Sequence, residues 1–88
     1  MANIMVKAIN SHTFQVTVVA HNTTEHEVHV NADYASHLCG QHKTTAALVE
    51  HSFEFLLARE SNTSILRRFD LSVISHYFPE YESEMAKR

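Results

Sequence analysis

The sequence predicts a small α+β domain: an antiparallel β-hairpin or three-stranded meander, followed by two to four helices packed on its apolar face. Three observations carry this. Around residues 14–19 and 27–30, Phe14, Val16, Val18, Val28 and Val30 alternate with other side chains at a period of two, the pattern of strands with one buried face. Behind them, Leu48, Val49, Phe53, Leu56 and Leu57 form a broad apolar stripe at helical spacing. The 88 residues leave room for one core and not for two, so 1–88 is read as a single domain.

Ile4, Val6 and Ala8 alternate and predict a further strand ahead of the hairpin. In an antiparallel pair, opposed residues point to the same side. Phe14, Val16 and Val18 therefore share a face with Val28 and Val30 only if paired residue numbers have an even sum. An even sum needs an odd-numbered loop. Asn22-Thr23-Thr24 is the simplest, and it sets Val18 opposite Val28, Val16 opposite Val30, His29 opposite Thr17 and His21 opposite Glu25.

Asn31 is placed to cap a short helix from about Ala32 to Cys39, and Gly40 stands where a helix end favours positive φ. Thr44 or Thr45 caps a longer helix to about Glu60. On it Glu50 and Glu54 face away from the stripe, and Phe55 falls outside it. After the break at Ser61-Asn62-Thr63, the residues Ile65, Leu66, Phe69, Val73, Ile74 and Tyr77 keep a helical period. Asp70 could re-cap that segment, and Pro79 ends it. Residues 1–3 and the charged stretch 82–88 are expected to fray. The expected core is Val16, Val18, Val28, Val30, Leu38, Leu48, Val49, Phe53, Leu56, Leu57, Ile65, Leu66, Phe69, Val73 and Ile74.

Composition narrows function by exclusion. Hydrophobic residues at 44% and charged residues at 19% describe a globular chain. A single Cys39 cannot close a disulfide within the chain, and a single glycine cannot build a phosphate-cradling loop. Seven Lys and Arg against ten Asp and Glu give −3, which disfavours nucleic acid as a partner. No apolar run approaches the roughly 18 residues that span a bilayer. The first residues show no secretory signal, and a lone thiol suits a reducing compartment, so the expected location is the cytoplasm.

His37, Cys39 and His42 form His-x-Cys-x-x-His beside Gly40, three donors of the kind zinc takes. A fourth ligand would have to be His51, a carboxylate or a neighbouring chain, and the bland reading is surface histidines around a buried thiol. The same Cys39 lacks the orienting group and backbone donors a nucleophile needs, and no catalytic residue is singled out. Arg67-Arg68 between two helical segments invites a helix-turn-helix reading, which the net charge opposes. Val19, Phe55, Tyr77, Phe78 and Tyr81 project outside the expected core. Such surplus apolar surface predicts a homo-oligomer or a protein partner, unless the C-terminal aromatics cover it themselves. The leading expectation is a non-enzymatic interaction module without a cofactor, with zinc binding as the alternative and nucleic-acid binding third.

The segments 52–60 (SFEFLLARE), 64–71 (SILRRFDL) and 74–81 (ISHYFPEY) resemble those of a family of small uncharacterised bacterial proteins, over about residues 14–82. The resemblance implies a Thr/His-rich hairpin joined to this helical half. It implies no catalytic residue.

Overall fold

A computed structural model describes residues 3–38 and 44–87. The chain forms strands β1 (Asn3–Ala8), β2 (Thr13–Val19) and β3 (Thr23–His29), then helices α1 (Ala32–Leu38) and α2 (Thr45–Leu57). A 3-10 turn at Asn62–Ser64 leads to strand β4 (Arg68–Asp70) and helices α3 (Val73–Tyr77) and α4 (Tyr81–Lys87). The expected α+β class holds, with helices packed on a sheet. The sheet has four strands in the order β1-β2-β3-β4, and β4 runs parallel to β3, so it is mixed.

The hairpin obeys the parity argument but not the expected pairing. Phe14 opposes Val28, Val16 opposes His26 and Val18 opposes Thr24, so paired numbers still have an even sum. The three-residue loop is Ala20-His21-Asn22, closed by the Ala20 N–H on the Asn22 carbonyl at 3.2 Å. This register brings Phe14 into the ladder beside Val28, where the expected one would have left it beyond the strand end. His29 accordingly faces Thr13, Glu25 faces Thr17, and His21 lies in the turn. None of the described residues needs positive φ; Gly40 lies outside them.

Residues 65–71 do not continue as helix. Glu27 donates its N–H to the Arg67 carbonyl at 2.7 Å, and Leu71 donates to the His29 carbonyl at 2.9 Å. The free edge of β3 thus gains a partner, and Phe69 turns inward next to Val28. Ile65 and Phe69, four apart as on a helix face, are also a pair that a short strand and its flank can bury, while Leu66 between them stays exposed. Arg67 and Arg68 therefore stand at a strand, both exposed, and Arg68 pairs with Glu27 at 3.4 Å. Neither sits on a recognition helix, which removes the helix-turn-helix reading.

The helix starts follow the capping chemistry. The Asn31 side-chain oxygen accepts from the N–H groups of Asp33 at 2.9 Å and Tyr34 at 3.4 Å. Thr44 accepts from the Ala47 N–H at 3.0 Å. α2 stops at Leu57, three residues short of the expected end, and Ala58 caps it. Phe78, held extended by Pro79, ends α3. Residues 81–87 of the charged C-terminal segment form α4, anchored by buried Tyr81 and Met85. Likewise Asn3 belongs to β1.

The core lies between the sheet and the helices. Of the expected members, Leu57 and Val73 are half-buried and Leu66 is exposed, and the rest are buried. Phe14, Ala35, Phe55, Leu71, Tyr81 and Met85 join them. The other face of the sheet is mostly polar, with Lys7, Gln15, Glu27 and Arg68 in register across all four strands and Met5 and Val19 as its apolar members.

Candidate functional site

An apolar groove of about 360 Å3 lies where α2, β4 and α3 meet. Its position follows from how α2 ends. Arg59 and Glu60 both donate their N–H to the Leu56 carbonyl at 2.9 Å, which turns the chain off the helix axis. The next segment is then fixed to the hairpin by a buried polar relay. Asn62 donates its side-chain N–H groups to the Asn22 carbonyl at 2.8 Å and to Thr24 Oγ1 at 3.0 Å. Thr24 Oγ1 meets His26 Nε2 at 2.8 Å, and His26 Nδ1 meets the Leu66 carbonyl at 2.8 Å. A carbonyl only accepts, so Nδ1 carries the ring proton, and Nε2 accepts from the Thr24 hydroxyl.

His26 is 2% exposed, and its ring lies 5.3 Å from that of Phe53. A hydroxyl on an imidazole nitrogen is also the geometry of a nucleophile and its base. Here Thr24 Oγ1 is held by Asn62 as well, and what the relay visibly does is tie β3 to residues 62–66. It sets the floor of the groove, where Ile65 and Phe69 are buried.

The walls are Leu56 and Glu60 on one side and Val73, Ile74, Tyr77 and Phe78 on the other. Two large side chains stand out at this groove: Leu66 is 50% exposed and Tyr77 is 68% exposed. Glu60 is its one lining group with a formal charge. The arrangement is an apolar slot with an aromatic projection at its rim, suited to holding an apolar side chain.

The residues expected to face outward divide accordingly. Tyr77 is exposed at the groove, and Phe78 is half-buried in its wall. Val19 is half-buried on the outer face of the sheet, between Asn3 and Thr23. Phe55 and Tyr81 are not available: they are 1% and 0% exposed. α4 folds back over α2, so that Phe55 meets Tyr81 at 5.3 Å and Phe78 at 5.8 Å, both edge-on. The Arg59 guanidinium covers the same ring at 3.7 Å while pairing with Glu80 at 3.3 Å. Tyr81 is fixed in turn by a hydrogen bond to buried Ser52, whose hydroxyl also reaches the Leu48 carbonyl at 2.7 Å. The sequence did hold a signal for α4, since Tyr81 and Met85 are four apart and share a helix face.

Of the proposed zinc ligands, His37 is exposed in the last turn of α1, while Cys39 and His42 lie outside the described residues. Among the described residues no three His, Cys, Asp or Glu side chains converge to hold a metal ion, and no helix is long and apolar enough to cross a membrane. The chain matches no protein-family model, no curated protein and no solved structure.

Proposed function

We propose that the chain is a non-enzymatic interaction module working through this groove, with a second copy of itself as the partner. The observation that carries the reading is Tyr77, an exposed aromatic ring on the rim of an apolar slot on the same face. A projection beside a hollow is self-complementary about a two-fold axis, with each copy's Tyr77 entering the other's groove. Tyrosine is also among the residues most enriched where binding energy concentrates. Exposed Leu66 extends the same patch. A different protein bringing its own apolar anchor is the competing occupant. The lone Cys39 supports a reducing compartment such as the cytoplasm for this role.

Sedimentation velocity at micromolar concentration tests it. The chain should run as a dimer. Tyr77→Asp and Leu66→Asp, both at exposed positions, should keep the far-UV spectrum and weaken the dimer at least about tenfold, or roughly 1.4 kcal/mol. A chain that stays monomeric throughout overturns self-association. A dimer indifferent to both substitutions moves the interface elsewhere.

A further inference from the structure

We infer that Glu60 selects what enters the groove, its carboxylate accepting a hydrogen bond from the phenol of Tyr77 on the second copy. The inference rests on self-association through the groove and adds the polar contact that sets its specificity. Apart from Ser64, every other side chain lining the groove is apolar or aromatic, and Glu60 alone carries a formal charge. Glu60 is half-buried, and among the described residues its carboxylate forms no ion pair or hydrogen bond. The adjacent cation, Arg59, is committed to Glu80 and to the Phe55 carbonyl at 3.1 Å. The Ser64 hydroxyl is engaged with that of Ser61 at 3.3 Å. Glu60 is therefore the open acceptor of the slot, and an ionised carboxylate can only accept.

Tyr77 carries the matching donor. Its ring is exposed on the wall across from Glu60, and among the described residues its hydroxyl has no hydrogen-bond partner. In a two-fold pair each Tyr77 enters between the walls of the other copy, with the apolar side chains against its ring and Glu60 on the α2 side for its hydroxyl. A tyrosine that leaves water keeps its hydroxyl bonded, and a phenol on a carboxylate is a charge-assisted bond, stronger than one between neutral groups. A phenylalanine or aliphatic anchor in the same slot would leave the carboxylate desolvated and without a donor, which is costly. The slot thus admits an apolar ring and, through Glu60, distinguishes one that ends in a donor.

Sedimentation equilibrium of the full chain, of Tyr77→Phe, of Glu60→Leu and of the double variant tests the contact. The bond occurs twice in a symmetric pair, so each single variant should weaken the dimer on the order of tenfold or more, with the far-UV spectrum unchanged. The double variant should regain most of that loss, because both sides of the contact are then apolar. A purely structural effect of either substitution would not be reversed by the other. A Tyr77→Phe or Glu60→Leu dimer as tight as that of the unaltered chain overturns the inference, as do single losses that simply add in the double variant. If Tyr77→Asp still separates the copies in those cases, the groove remains the interface and only the bond is lost. A chain that is monomeric throughout overturns both.

Discussion

His26 shows how one side chain positions a surface remote from it in sequence. Its face was readable from parity with Val28, and burial follows. Its partners were not readable, since the Leu66 carbonyl and the Asn62 amide lie about forty residues along the chain from the atoms they meet. Polar contacts at that separation leave no periodic trace. Each relay member satisfies another, so removing one leaves buried polar atoms without a partner. Asn62→Ala should lower stability by about 1–3 kcal/mol in urea denaturation. Combined with His26→Ala, the loss should fall short of the sum of the two single losses by at least about 0.5 kcal/mol. Strict additivity would mean that Asn62 and His26 act independently.

Elements were legible in proportion to their length and their spacing. β2, β3 and α2 carry repeated apolar positions and stand where the pattern put them. β4 has three residues, too few to show a period of two, and Ile65, Leu66 and Phe69 imitate a helix. α4 was obscured by Glu82 and Glu84 within it and Glu80 just ahead of it, charges that mask the packing done by Tyr81 and Met85. α4 is also tied to α1, because the Tyr34 hydroxyl donates to Glu82 at 2.9 Å. Partial burial, together with that hydrogen bond to a carboxylate, raises the Tyr34 phenol above its ordinary range. The unfolded chain then loses this proton first as pH rises, from about pH 10. Over that interval the native state holds the extra proton, so stability falls with increasing pH. Tyr34→Phe should flatten this alkaline slope in denaturation curves collected between about pH 9 and 11. An unchanged slope would show that Tyr34 does not couple α1 to α4 through its hydroxyl.

At the scale of the molecule, the sheet order sets a hierarchy. β2 is paired on both sides along its length, while β1 has one partner strand and β4 adds three residues to the far side of β3. One sheet face is apolar and covered by helices, and the other is mostly polar. That division follows directly from the alternation of Phe14, Val16 and Val18 with Thr13, Gln15 and Thr17. Amide hydrogen exchange should therefore be slowest in β2 and the adjoining half of β3, at the rate of global unfolding, and faster in β1. Equal protection in β1 and β2 would show that the outer edge of β1 is covered in solution. The groove belongs to this scale as well. No local pattern announces it, because it exists only where the end of α2, the 62–66 segment and α3 come together.

The buried amide of Asn62 has a consequence for chemical modification. Asn22-Thr23-Thr24 and Asn62-Thr63-Ser64 both match the tripeptide that receives N-linked sugar, and as strings they are equivalent. In the folded chain they are not. Asn22 is exposed in the hairpin turn, whereas the nitrogen of Asn62 already donates to two acceptors beneath the surface. A folded copy passing through a glycosylating compartment would carry a glycan at the first asparagine, and sugar at the second would mark chains that were modified before they folded.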